Sequence, residues 1–219
     1  MKMTKYSHSC VRFEKAGAVL VLDPGNFSEV EEALEGADAI LVTHEHADHI
    51  DQERVLPILS EREDLRLYAP APLAASLREA VEEEVRGRIL DVQPDSAFEI
   101  AGIGIRSFGG QHALIHPLIP MVRNLAYLIE GGIYHPGDSF IVPNGLKATT
   151  LLLPIHAPWS KVGEVIDFLI SCGAETAYPI HDALLNGNGR KIVEKHLERF
   201  GGMYGTRYVS LASGDVVDV

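Results

Sequence analysis

The sequence predicts an α/β fold, with strands and helices layered in both halves of the chain. Three observations carry this expectation: short β-branched or alternating runs recur along the whole length, runs with helical apolar spacing fall between and after them, and no low-complexity or Gly/Ser-rich linker divides them. Two halves that each begin with strands and end with helices suit two sheets flanked by helices. With 219 residues, 46% apolar and 23% charged, the chain has the size and composition of one globular domain spanning 1–219. Collagen-like, disordered and disulfide-stapled classes are excluded.

Alternation over 4–13 and the β-branched stretch 18–22 predict two strands joined as a hairpin through Lys15, Ala16 and Gly17, with Asp23-Pro24-Gly25 breaking the pattern. Further short strands are expected at 39–42, 65–68, 89–92, 98–108, 125–129, 132–135 and 150–155. Helical spacing places helices at 30–34, 52–60, 72–85, 161–172 and 190–200. The acidic run Glu79, Glu82, Glu83 and Glu84 reads as a solvated helix face.

Nineteen Lys and Arg against 31 Asp and Glu give a formal net charge of −12, which repels phosphate backbones and anionic membrane surfaces, so neither nucleic acid nor membrane is an expected partner. The apolar runs fall far short of the ~20 residues a bilayer span needs, and residues 1–11 lack an apolar signal core, so a cytoplasmic location is expected. Cys10 and Cys172 lie at no metal-knuckle spacing and read as one semi-exposed and one buried structural thiol.

The densest chemical signal is Thr43-His44-Glu45-His46-Ala47-Asp48-His49, directly after an apolar strand. In extended chain, side chains two apart project to the same side, so His44 and His46 can share one metal. Asp48 and His49 fall where the chain turns toward the next helix, and they diverge toward a second. More donors are needed, since each ion takes about four to six ligands. His112 after Gly109-Gly110, Asp138 in His135-Pro136-Gly137-Asp138-Ser139, and His181 in Tyr178-Pro179-Ile180-His181-Asp182 each follow a strand-like run and have small or Pro neighbours that allow a sharp turn.

This set resembles the metallo-β-lactamase fold superfamily, whose H-x-H-x-D-H signature His44, His46, Asp48 and His49 match in full, with His112, Gly137-Asp138 and His181 in the family's order. Ser7-His8-Ser9 and Leu22-Asp23-Pro24-Gly25 are similar to segments of the ascorbate-phosphate-lactonase-like branch. The resemblance runs from about residue 4 to about residue 215 and implies a four-layer αβ/βα sandwich of two mixed sheets flanked by helices. It further implies two divalent metal ions, zinc first with manganese or iron as alternatives: His44, His46 and His112 on one, Asp48, His49 and His181 on the other, and Asp138 bridging. The expected activity is that of a dinuclear metal-dependent hydrolase. Water between two divalent ions ionises near neutral pH, and the bridging hydroxide would attack a small ester, lactone or phosphoester, anionic substrates included. A phosphodiesterase or nuclease and a non-hydrolytic di-iron redox or metal-sensing protein are the alternatives, the former disfavoured by the charge of −12.

Asp23 and Thr43 are candidates to accept the outer ring N–H of the ligand histidines. His8 is expected to pack or hydrogen-bond behind the site, and His135 beneath it. Asp48 and His156 are the catalytic candidates, His156 as a proton donor or anion partner in the pocket, with Trp159 as a wall. His196 reads as surface and Arg123 as one half of a surface salt bridge. The apolar, Pro-containing stretch 113–124 reads as a lid or an interface loop, which leaves homo-oligomerisation open beside a small-molecule substrate.

Overall fold

Alternating burial starts the first sheet. In the computed structural model, which describes residues 1–219, Met3 and Lys5 of β1 (Lys2–Lys5) and Val11 and Phe13 of β2 (Val11–Lys15) are buried while Lys2, Thr4, Arg12 and Glu14 within the same strands are not. The chain continues through β3 (Ala18–Leu22), α1 (Val30–Leu34), β4 (Ala39–Leu41), α2 (Gln52–Glu61), β5 (Arg66–Pro70), α3 (Ala71–Glu79), α4 (Glu83–Arg86) and β6 (Ile89–Val92). The second half holds β7 (Ala97–Ile100), β8 (Ile103–Phe108), β9 (Ala126–Ile129), β10 (Ile133–His135), β11 (Thr150–Pro154), α5 (Val162–Cys172), β12 (Thr176–Ile180), α6 (Gly187–Met203), β13 (Arg207–Tyr208) and β14 (Val216–Asp218).

These strands form two seven-stranded mixed sheets, ordered β14-β1-β2-β3-β4-β5-β6 and β13-β12-β11-β10-β9-β8-β7. Three apolar clusters define the layers. One joins the outer face of the first sheet to α1, α2 and α3, one lies between the sheets with Phe13, Leu20, Leu41, Tyr127, Ile129 and Leu152, and one joins the second sheet to α5 and α6. Strands β4, β9 and β11 are buried along their whole length, as central strands covered on both faces must be. The result is the expected αβ/βα four-layer sandwich. No helix is long and apolar enough to cross a membrane.

Several elements depart from the sequence expectation. The stretch 4–13 is two antiparallel strands, because His8 takes a left-handed backbone (φ 59°) and Tyr6 N–H closes a tight turn on the Cys10 carbonyl at 2.9 Å. The stretch 98–108 is a hairpin, β7 to β8, turning through Ala101 (φ 49°) and Gly102 (φ 81°). In the first case the buried residues Met3, Lys5, Val11 and Phe13 keep one phase across the turn, and in the second the phase shifts from Phe98 and Ile100 to Ile103 and Ile105, a shift that a single-strand reading passes over. The helix expected at 72–85 is interrupted after Glu79, leaving α3 and the single-turn α4. Strands β13 and β14, of two and three residues, were not anticipated, while β12, expected only as the strand-like run before His181, carries Pro179. Cys10 and Cys172 are both buried, where one semi-exposed thiol was expected, and burial pushes both up, that of Cys172 to about 12.

Candidate metal centre

Strand ends deliver the site. Asp23 follows β3, Thr43 and His44 follow β4, His112 follows β8, Asp138 follows β10, His156 follows β11 and His181 follows β12. Two parallel neighbours on each sheet therefore present their carboxyl ends to one crevice.

The seven ligand candidates come together in two groups, joined by His8. His44, His46, His112 and Asp138 offer donor atoms within 4.8 Å of one another, as do His8, Asp48, His49 and His181. Asp138 stands between the groups: its Oδ2 lies 3.2 Å from His112 Nε2 and 3.1 Å from His181 Nε2, and its Oδ1 lies 3.0 Å from His49 Nε2.

Outer hydrogen bonds fix which ring nitrogen faces inward. His49 Nδ1–H donates to Asp23 Oδ2 at 2.7 Å, His112 Nδ1–H to the Ala113 carbonyl at 2.5 Å and His181 Nδ1–H to the His156 carbonyl at 2.6 Å. Thr43 Oγ1–H donates to Asp23 Oδ2, which leaves its oxygen to accept from His44 Nδ1–H at 3.0 Å. Each of these rings therefore directs an Nε2 lone pair into the site, the form that ligates a metal. His44 Nε2 and His46 Nδ1 face each other at 3.1 Å. Asp23 and Thr43 thus occupy the supporting positions expected of them.

Two buried atoms test whether this arrangement fits a cation. His49 Nε2 and Asp138 Oδ1 stand 3.0 Å apart in a geometry that makes no hydrogen bond, and neither has another partner. Two unpaired buried acceptors facing each other are costly unless something satisfies both, and a cation between imidazole and carboxylate does so. The charge balance agrees. Burial would raise the Asp138 carboxyl, but His49 and His181 beside it hold it well below the carboxylate range. Burial drives His44 well below its usual value, with His49 adding to the effect.

Glycines let backbone pass where no side chain fits. A Cβ on Gly25 would lie 1.9 Å from the Asp48 carbonyl oxygen, so the Asp23-Pro24-Gly25 turn forms the floor of the Asp48–His49 loop. Gly137 combines φ 60° with a would-be Cβ 2.2 Å from Asn124 Oδ1. Three non-glycine residues at the site, His8 (φ 59°), Asp23 (φ 46°) and His181 (φ 56°), also hold left-handed backbones, at a cost of about 1–3 kcal/mol each.

Asn124, Lys5 and Asp182 support the site without a sequence signal, beside His8 and Trp159, which the sequence singled out. Buried Asn124 accepts the Asp138 N–H at 2.9 Å and donates to the Pro136 carbonyl at 3.0 Å, clamping the Asp138 turn. His8 accepts the Ala183 N–H at Nδ1, so its Nε2–H donates to Asp48 Oδ2 at 3.0 Å and orients that carboxylate. Trp159 is half-buried, and its indole N–H donates to Asp138 Oδ2 at 2.8 Å. Buried Lys5 reaches Asp182 at 3.1 Å, and Arg190 reaches the same carboxylate at 2.8 Å, anchoring the residue after His181. Lys5→Met should cost about 3 kcal/mol in urea unfolding, because truncating one member of a buried ion pair strands the other. An unchanged midpoint would show that Arg190 alone holds Asp182.

Other expectations meet mixed outcomes. The His156 ring makes no hydrogen bond and is half-exposed, while its carbonyl orients His181. His135 lies beneath the site and accepts the Gly137 N–H. His196, half-buried, stacks on Phe200 away from the site. Arg123 is exposed and forms no ion pair; its neighbours Met121, Val122 and Asn124 bring no carboxylate to it.

A two-sheet sandwich with histidines and aspartates gathered at its strand ends is the metallo-β-lactamase fold. Residues 2–181 match the family described as Beta-lactamase superfamily domain, and the chain belongs to it. It is 36% identical over 197 residues to Protein Rv0786c of Mycobacterium tuberculosis, covering 88% of this chain and 89% of the relative. Among solved structures it is similar to Igni18, a novel metallo hydrolase from Ignicoccus hospitalis, with TM-score 0.74, 17% identity, and coverage of 99% of this chain and 97% of that one. It is also similar to the metallo-β-lactamase fold protein YhfI of Bacillus subtilis, with TM-score 0.71, 20% identity, and coverage of 96% and 91%.

Proposed function

We propose that this protein is a dinuclear metal-dependent hydrolase of a small ester, lactone or phosphoester, with zinc the first candidate metal. The observation that carries the reading is the inward set of imidazole lone pairs, with Asp138 shared between the two groups. His44, His46 and His112 would hold one ion, Asp48, His49 and His181 the other, and Asp138 both. When bound, the two cations would lower the pKa of water held between them and polarise the substrate's carbonyl or phosphoryl oxygen.

The chain's own residues supply the rest. His8 holds the Asp48 carboxylate, the Trp159 N–H holds that of Asp138, and Asn124 clamps the backbone of the Asp138 turn. Trp159 closes one side, its ring edge-on to His112 and His181. His156, at the mouth, is assigned proton transfer to the leaving oxygen: water adds to the acyl carbon or phosphorus, the bond to that oxygen breaks, and the oxygen takes the proton. His156→Ala isolates the ring, because it preserves the carbonyl that orients His181. Ser7-His8-Ser9 and Leu22-Asp23-Pro24-Gly25 support placement in the ascorbate-phosphate-lactonase-like branch, and Igni18's description as a metallo hydrolase supports the reaction class.

Elemental analysis after metal loading should give two ions per chain. The loaded protein should hydrolyse members of a panel of p-nitrophenyl esters, lactones and bis-p-nitrophenyl phosphate. Inactivity across the panel with two metals bound, or failure to hold any metal, would sink the proposal.

A further inference from the structure

Asp138 depends on one hydrogen bond for the orientation of its side chain. The residue is 2% exposed, and its two oxygens have different settings. Oδ1 has no hydrogen-bond partner, while Oδ2 lies 3.2 Å from His112 Nε2 and 3.1 Å from His181 Nε2. Both of those rings commit their N–H outward, to the Ala113 and His156 carbonyls, so they meet Oδ2 with lone pairs and do not donate to it. The indole N–H of Trp159, 2.8 Å from Oδ2, is therefore the one donor on the whole carboxylate.

The indole is itself held from behind. Its ring packs against Phe140 with centroids 5.0 Å apart, and Phe140 packs against Phe168 of α5 at 5.1 Å. The backbone beneath it forms a closed turn, in which the Ser160 N–H donates to the Ala157 carbonyl at 3.1 Å and the Ala157 N–H donates to Ser160 Oγ at 3.1 Å. The same turn carries the His156 carbonyl that accepts from His181 Nδ1–H at 2.6 Å. One short segment between β11 and α5 thus places a donor on Asp138 and an acceptor on His181. A ring that served only as a wall would need neither bond, and phenylalanine would fill its place.

We infer that Trp159 is a positioning residue for the whole centre: its N–H sets the orientation of the shared carboxylate, so that both metal positions depend on it together. This rests on the hydrolase reading and adds the residue through which the two ligand groups are assembled. A hydrogen bond to an ionised acceptor is roughly twice as strong as a neutral one, and at a buried carboxylate water does not compete for it. Because Oδ2 faces His112 of one group and His181 of the other, a carboxylate released to turn misplaces a donor for both.

Trp159 is the lone tryptophan, so biosynthetic replacement of tryptophan by 3-benzothienyl-alanine, whose sulfur stands where the N–H was, changes this site alone. Zinc affinity, measured by competition with a chelating dye, should fall about 10- to 100-fold at both positions, the loss expected when a ligand is deprived of its outer hydrogen bond. Trp159→Phe should behave alike, and far-UV circular dichroism with the urea midpoint reports the fold of each protein. In 15N-labelled, zinc-loaded wild type, the single indole N–H resonance should exchange slowly with solvent. A folded analogue or Phe variant that binds both ions as tightly as wild type, or that weakens one position alone, overturns the inference and leaves the hydrolase reading intact. An indole N–H that exchanges freely in the loaded protein does the same, and this measurement decides the matter even where neither replacement folds. Wild-type protein that holds no zinc overturns both readings.

Discussion

Asp138→Ala should strip both metal positions at once, lowering metal affinity by more than about 100-fold and turnover with it, since outer hydrogen-bond partners alone are worth about 10- to 100-fold. Asp138 is singled out by geometry. His44, His46 and His112 face one group and Asp48, His49 and His181 the other, whereas the two oxygens of Asp138 reach His112, His181 and His49. Losing any one histidine leaves the opposite group complete. Losing Asp138 leaves each group a donor short and removes the negative charge that offsets two neighbouring cations. Metal content by elemental analysis after dialysis is the measurement, with far-UV circular dichroism to confirm an intact fold. A variant that still holds two ions per chain would refute the bridging role.

Gly25→Ala should be the most damaging small substitution in the protein, costing more than about 3 kcal/mol, beyond the usual overpacking penalty. Its Cβ would sit 1.9 Å from the Asp48 carbonyl oxygen, 2.0 Å from the Asp48 carbonyl carbon and 2.6 Å from the His49 nitrogen. All three are backbone atoms, so no side chain can swing aside, and relief requires moving the Asp48–His49 loop. Urea unfolding should show the loss, and the displaced loop should release the second metal first. Gly163→Ala in α5 is the matched control: its Cβ meets nothing within 4 Å, and the gain in helix propensity should leave stability equal or slightly raised. A Gly25→Ala protein as stable as the control would show that the turn can part from the loop.

Much of the site was legible one residue at a time. The alternation argument that put His44 and His46 on one side of an extended segment agrees with their facing nitrogens at 3.1 Å. Asp23 and Thr43 were candidates to accept the outer N–H of the histidines, and they accept from His49 and His44 respectively. His8 was assigned to a strand and to a supporting role, but the turn at Ser7–Cys10 carries it to Asp48 within the second group. The break inside 4–13 escaped notice because hydrophobic spacing records which side chains are buried, and both flanking strands bury alternate residues in one continuous phase.

Asn124, Lys5, Asp182 and the indole N–H of Trp159 belong to a different category. Each acts through one hydrogen-bond partner distant in sequence: Asp138 is 14 residues from Asn124 and 21 from Trp159, and Asp182 is 177 from Lys5. Local pattern contains no information about such partners. The amino-acid sequence by itself determined the α/β class, most of the strands and helices and the candidate donor side chains, because these depend on spacing along a few consecutive residues. Tertiary structure alone decided which nitrogens face inward, that one carboxylate is shared, and that an indole N–H reaches that carboxylate, because each depends on which strand ends the two sheets bring together.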